Sequence, residues 1–375
     1  MDSPTSTDHP RWLGGYEPYG VVCNGMTAEE LFDRYEACGF LYPAKREQLA
    51  PFIDTVRTTW NASLKADMAD CVHHCLTCTN SERGAWGTVS MWRSSARRAH
   101  SQHLVSSGWP GCSRNVMLAA QDWWDGSGVE FAEKWFRSEN KYPNRIFGSV
   151  PDRLGHANST LERRALFASG RDHEHNPDVP VEVHLVGDDA GIVARDVLAR
   201  LTDPVVAAAE ELDTGDVSLN ELNEAYARVG LQRSRRVHMA TIPGHAQPVG
   251  LASAYRGPLG LNFSFLENRC DIWLDRQLDE TERRSVASAL LDASRSTYED
   301  CPLPYILVTC DEPTLEVLLN WTHGQHIRTY ERCIWTRSGF WDWYCHVDSF
   351  YQRVMELEER RIARMMSKSA EEASS

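Results

Sequence analysis

The chain has 375 residues, 42% of them hydrophobic and 25% charged. That is the composition of a globular protein long enough for two domains of roughly 150 residues each. Its 53 acidic and 39 basic residues give a net charge of −14, which argues against general binding to nucleic acid or anionic membranes. No apolar run approaches the length of a membrane span, and MDSPTSTDHP at the start lacks the basic and apolar regions of a signal peptide. The 11 cysteines are odd in number and follow no framework spacing, so reduced thiols in a cytoplasmic protein are expected.

Residues 1–26 are rich in Pro, Gly and polar residues and read as an arm. Thr27 and Glu30 have capping-box spacing for a first helix. Leu49, Phe52, Ile53, Val56 and Trp60 repeat at helical spacing within a second, 44–65. Strands are predicted over 71–79, 85–92 and 99–106, a helix over 113–124, a strand over 131–136, a short helix over 142–150 and a strand over 161–168. Residues 169–180 lack periodicity and read as a linker. A second series begins at 181. It has a strand over 181–186, helices over 190–201 and 205–212, and a helix over 218–229 with Ser218 as its cap. Strands follow over 237–242, 248–255 and 261–274, the last with an irregularity. A helix over 281–298, a strand over 305–309, a helix over 312–323 and a strand over 327–335 complete it. An amphipathic helix spans 349–366, and the ending SKSAEEASS reads as disordered.

The two halves repeat one order of elements without a residue-level repeat. The predicted class is α+β, with a mixed, mostly antiparallel sheet flanked by helices in each half. The halves run 27–168 and 181–340, with an aromatic segment and helix over 341–375.

The stretch Val249–Leu291 places two strand-like runs before a helix rich in small residues. In Arg284-Ser285-Val286-Ala287-Ser288-Ala289 it resembles the Q/R-x-x-G-x-G/A pattern of the acyl-CoA-dependent N-acetyltransferases, the GNAT superfamily. Ala287 stands where that pattern has glycine, and Asn320 stands where the family's last helix carries tyrosine. The resemblance implies two GNAT-like lobes, the better preserved at the C-terminus and the first a structural or substrate-shaping lobe. In the first half, Gly108–Arg114 takes the place of the phosphate loop and Phe147 that of the tyrosine. The resemblance further implies an acetyl-CoA or other acyl-CoA donor, with Arg284, Ser285, Val286, Ala287, Ser288 and Ala289 cradling its pyrophosphate.

Acyl transfer to an amine needs a group that takes the amine's proton. Glu267 and Asp271 are the candidate bases. Arg256, Asn262, Ser264, Asn268 and Arg269 are candidate substrate contacts, crowded with them into one polar strand. The expected acceptor is an amine of a small molecule or peptide. Two other functions fit the same residues: a non-catalytic GNAT-fold ligand-binding or interaction protein, and a biosynthetic acyltransferase using a carrier-protein or aminoacyl-tRNA donor. No metal is expected. The Cys and His of 71–78 alternate across a strand and cannot converge, and His173 and His175 read as linker residues. The aromatic run Phe340–Tyr344 either lines an acyl pocket or packs the last helix. The charges of Glu356–Arg361 form either a solvated face or the edge of a homodimer.

Overall fold

The computed structural model describes residues 19–65, 72–171, 178–321 and 324–374. The first half runs β1 (Val21–Cys23), α1 (Ala28–Ala37), α2 (Pro43–Leu49), α3 (Ile53–Lys65), β2 (His73–Asn80), β3 (Ala85–Arg93) and β4 (Arg98–Ser107). It continues with α4 (Gly111–Gly126), β5 (Phe131–Phe136), α5 (Lys141–Phe147), α6 (Val150–Leu154) and β6 (Ser159–Gly170). The second half runs β7 (Glu182–Leu185), α7 (Gly191–Leu201), α8 (Pro204–Ala209), α9 (Asn220–Arg228), β8 (Ser234–Thr241) and β9 (Gly250–Arg256). It ends with β10 (Arg269–Leu274), α10 (Glu280–Ser294), β11 (Tyr305–Cys310), α11 (Glu312–Trp321), β12 (Gln325–Thr336) and α12 (Phe340–Ser374).

Among the described residues the strands form one sheet in the order β1-β2-β3-β4-β5-β12-β6-β11-β10-β9-β8-β7. Each strand of the first half has its counterpart six strands later, so the sheet is pseudo-twofold about the β12–β6 seam. At that seam the halves exchange strands. β12 pairs antiparallel with β5 of the first half, and β6 pairs antiparallel with β11 of the second. The class is α+β with two lobes, each a mixed sheet flanked by helices.

Within each lobe the fourth and fifth strands are parallel for three rungs only. Arg98, Ala99 and His100 pair with Phe131, Ala132 and Glu133. Arg269, Cys270 and Asp271 pair with Leu307, Val308 and Thr309. Beyond His100 and Asp271 the paired register stops, and a gap opens between the strands.

Helices cover both faces of the sheet. Neighbouring residues on β2 (Cys75, Leu76) and β5 (Trp135, Phe136) fall in different hydrophobic clusters, as strand alternation requires. One face packs on α1 and α3, the other on α4 and α5. The Thr27–Glu30 capping box is present at α1.

Three expectations change. Residues 261–268 are not strand. The Asn262 carboxamide accepts from the Ser264 N–H at 2.7 Å, Phe265 is left-handed with φ +59°, and a 3-10 turn covers Leu266–Asn268; such side-chain-to-backbone bonds compete with a ladder. Ser218 does not cap α9; the Asp216 carboxylate instead accepts from Asn220 N–H at 2.8 Å and Glu221 N–H at 3.2 Å. The tail is helical from Phe340 to Ser374. Phe340 and Trp343 are buried there against Trp124 and Trp335, so the aromatic run packs this helix rather than lining a pocket.

Candidate functional site

The second lobe, where the resemblance places the donor site, is closed at its gap. Arg164 on β6 is buried, and its guanidinium donates to Ile272 O at 2.9 Å and Thr309 O at 2.8 Å. One cation thus bridges the two strand backbones where they part, 5.4 Å from the centroid of the Trp273 ring over which it lies. Nor does the helix after the gap begin with small residues. α10 starts at Glu280, and Asp279 and Glu282 close a reciprocal capping box. Those carboxylates, with Glu280, occupy the end where a phosphate would need free N–H groups. Arg284, Ser285, Val286, Ala287, Ser288 and Ala289 lie in the helix interior, and all but Arg284 are buried. Arg284 pairs with Asp178, and Ser285 Oγ accepts from Asp178 N–H at 3.2 Å. The small residues serve helix-to-sheet packing: a side chain on Gly250 would come within 2.8 Å of Val286.

The first lobe is built differently at the corresponding rungs. Between the Thr88–Val105 and Ser90–Gln102 pairs β4 carries one extra residue, a bulge, where β10 keeps regular register. His103 in the bulge is left-handed, with φ +55°. His103 and Leu104 have no ladder partner on β3, and β5 has already separated. The helix that follows, α4, has Pro110 as N-cap, no side-chain cap and no acidic residue in its first turn. This is the uncapped, positive helix end that the second lobe lacks.

A cavity of about 380 Å³ occupies this gap. Met117 and Phe147 line it from the α4–α5 side. Phe40, Tyr42 and Lys45 line it from the α1–α2 side, with Ser264 and Tyr330 from the second half. It therefore passes through the sheet and is completed by both lobes. Lys134 lines it, buried, donating to the carbonyl of Ser101. Ser101 follows His100 as Ile272 follows Asp271, so Lys134 binds the same first unpaired carbonyl that Arg164 binds in the second lobe. The chemical difference is large. Arginine stays charged, whereas burial lowers the Lys134 pKa to about 7.

His103 stacks on Phe263 at 4.3 Å between centroids, and its Nε2 accepts from the Phe263 N–H at 3.4 Å. Burial first, then Lys45, His73 and Lys134, hold its pKa well below the ordinary value. It is a neutral imidazole with its proton on Nδ1, and that atom is buried without a hydrogen-bond partner among the described residues. Tyr330 Oη donates to Ser264 Oγ at 3.0 Å nearby.

Of the candidate base, donor and substrate residues named from the second half, Ser264 lines this cavity, as does Phe147, which the resemblance placed at the tyrosine position of the first half. Asn262 is one step away, bonded to the lining residue Gln102. Glu267 and Asp271 belong to a buried charge cluster between the lobes. His100 lies 2.6 Å from Glu133 and 2.9 Å from Glu267. Arg98, Arg269 and Arg332 reach Glu133 at 3.3, 3.9 and 2.6 Å. Burial alone would raise the Glu267 pKa, but His100, then Arg269 and Arg233, hold it at about 2. Asp271 is fully buried, 2.9 Å from Arg269 Nε, and accepts from Thr309 Oγ1. Glu267 so held is a poor proton acceptor, and Asp271 is enclosed by its partners away from the cavity, so neither is placed to act as base. Arg256 and Asn268 bond to each other at 2.9 Å. Arg256 lines a separate open pocket beside Asp300, and Arg269 is committed to Asp271.

Among the described residues no three His, Cys, Asp or Glu converge as a metal site. Cys71, His173, His175 and His323 lie outside those residues.

No protein-family model matches the chain, and no curated protein does. Solved structures do resemble it. A tandem GNAT protein from the clavulanic acid biosynthesis pathway aligns at 9% identity over 77% of this chain and 95% of its own, with a TM-score of 0.39. An N-acetyltransferase-like protein from Streptococcus suis aligns at 12% identity over 78% and 100%, with a TM-score of 0.35. A Drosophila protein aligns at 13% identity over 82% and 95%, with a TM-score of 0.40. The fold assignment rests on this chain's own strand order, its paired gaps and its strand exchange.

Proposed function

We propose that the chain transfers an acyl group from a CoA thioester to an amine, and that the chemistry runs in the gap of the first lobe. The observation that carries this is the through-sheet cavity at the β4 bulge, with Lys134 inside it. The pantetheine arm would lie between β4 and β5. The pyrophosphate would meet the uncapped start of α4, where Arg83 and Arg114 stand near. The N–H groups at the bulge and the His103 Nδ1–H would face the developing oxyanion.

Lys134 takes the place first given to Glu267 and Asp271. With a pKa of about 7, its neutral amine can accept the proton that the acceptor nitrogen loses as it attacks the thioester carbonyl. The C–N bond forms, the C–S bond breaks, and the ammonium returns its proton to the departing thiolate. Phe147, standing where the family has tyrosine, has no proton to give. The second lobe is the non-catalytic one in this reading, because Arg164 fills its gap and carboxylates cap α10. The ten described cysteines are free thiols, which supports a reducing compartment such as the cytoplasm. No helix among the described residues is long and apolar enough to cross a membrane.

Calorimetry with acetyl-CoA tests the reading. Binding is expected for the wild type and for Lys134→Gln, whose turnover should fall at least about 100-fold, the usual range for losing a positioned base. Neither heat nor a thermal shift with acetyl-CoA would sink the proposal.

A further inference from the structure

Among the described residues the wall of the first-lobe cavity carries Lys45, Lys134, Arg137 and Arg328 and no Asp or Glu, in a chain whose acidic residues outnumber its basic ones by 53 to 39. Three of these cations share one face of the sheet. Arg137, the residue after β5, acts on Lys45 from the α1–α3 side, whereas strand alternation puts Lys134 with Phe136 on the α4–α5 face. Arg328 lies over Tyr330 at 6.0 Å, and Tyr330 packs on Trp135 at 6.2 Å. Lys45 on α2 lies 5.7 Å from the Phe40 ring and 6.0 Å from the Tyr42 ring.

Lys45 and Arg328 form no ion pair with a carboxylate among the described residues, and Arg137 only approaches the exposed Glu139 at 3.7 Å. Burial, then the charges of Arg328 and Arg137, lower the Lys45 pKa to about 8. Lys45 and Arg328, without a carboxylate partner among the described residues, repel each other and Arg137 and so destabilise the empty protein. The arrangement has the charge pattern of a cleft that waits for an anion.

We propose that the acceptor amine also carries an anionic group, a carboxylate or a phosphate, which Lys45, Arg137 and Arg328 hold on the α1–α3 face of the gap. This rests on the acyl-transfer reading for its chemistry and on the cation cluster for its specificity. The donor's phosphates do not account for these cations, because they belong at the start of α4 on the opposite face. Arg328 offers planar, bidentate recognition of a carboxylate or phosphate, and Lys45 and Arg137 add charge. With the anion fixed there, the amine is presented to the bulge from the side opposite the acyl-CoA.

Matched amines test this on the full chain with acetyl-CoA, read by thiol release. The pairs are L-phenylalanine against L-phenylalaninamide, and glucosamine 6-phosphate against glucosamine. In at least one pair the anionic member should be used at least about tenfold better in kcat/KM, a discrimination that one lost charged contact supplies. The double variant Lys45→Gln/Arg328→Gln should raise KM for that amine by a similar factor, with KM for acetyl-CoA unchanged. Equal use of the neutral member, or a rise in KM for acetyl-CoA instead, would overturn the proposal. If no amine of either pair is acylated, calorimetry with inorganic phosphate and with benzoate decides. Binding by wild type that the double variant loses sustains the anion site, and failure of acetyl-CoA to bind then counts against acyl transfer alone. No binding of either anion overturns the proposal.

Discussion

At the scale of single residues the molecule concentrates buried charge in two places with opposite consequences. Between the lobes Glu133 is surrounded by Arg98, His100 and Arg332 within 3.3 Å, and each partner depends on the others for its counter-charge. Replacing Glu133 by Ala breaks three buried pairs at once and leaves Arg98 and Arg332 to share Glu210, with His100 held by Glu267 alone. A loss of about 3–5 kcal/mol is expected, read as a lower urea midpoint at unchanged slope. Lys134, by contrast, carries a charge that burial disfavours. Its folded pKa of about 7 lies below the unfolded value, so the unfolded chain binds more protons between pH 7 and the ordinary lysine range, and stability rises with pH through that window. The titratable groups about it are His103 and the Cys333 thiol, both neutral because burial holds the imidazole's pKa well down and pushes the thiol's well up. In Lys134→Met the difference in unfolding free energy from wild type should drift across pH 7–10 as the lysine's contribution is removed. A difference that stays constant over that range would show that Lys134 keeps its proton in the fold.

At the scale of elements the two gaps answer one geometric problem in two ways. Parallel strands that part after three rungs leave a free carbonyl, and a cation binds it in each lobe, Arg164 in one and Lys134 in the other. Arg164→Met would leave Ile272 O and Thr309 O without that donor, at a cost of about 1–3 kcal/mol for each buried unsatisfied group. The second-lobe gap is not the donor site in this reading, so the variant should bind acetyl-CoA with wild-type affinity. Weaker binding in proportion to the lost stability would return the donor to the second lobe. Most of this architecture could be read from the chain. Strands such as Ala85–Arg93, Phe131–Phe136 and Tyr305–Cys310 announce themselves by composition and turn signals, and the repeated order of elements foretold two lobes. The site was harder to read. Small residues at Ser285–Ala289 suggested a phosphate cradle, but Asp279 and Glu282, six and three residues before Ser285, set the helix start. A capping box was legible there and outweighs the small residues. The crowd of polar residues from Asn262 to Asp271 suggested chemistry, yet those side chains mostly satisfy one another. The signal for the first-lobe site was faint. His103 is unremarkable in sequence, because a bulge depends on register with a partner strand. Lys134 reads as an ordinary strand lysine until the parting of β4 and β5 buries it.

At the scale of the whole molecule the exchanged strands decide how the lobes relate. β12 fills the place beside β5, and β6 fills the place beside β11, so neither half owns a complete sheet. The first half alone would keep β5 paired to β4 through only Phe131, Ala132 and Glu133. Its β6, which pairs with β12 from Ser159 to Ala168 and with β11 from Ala165 to Gly170, would lose both neighbours and stand as a bare strand with two open edges. The first-lobe cavity would also lose Ser264, Arg328 and Tyr330, which come from the second half. Residues 1–180 produced alone should therefore be insoluble or unfolded by circular dichroism, and co-production with residues 181–375 should restore a soluble complex. The intact chain should unfold in urea as one cooperative transition, with fluorescence and far-ultraviolet signals coincident. Two separated transitions, or a folded and soluble first half, would mean that the lobes hold themselves together without the exchange. In that event the cavity's dependence on both halves would have to come from docking of finished domains rather than from the sheet itself.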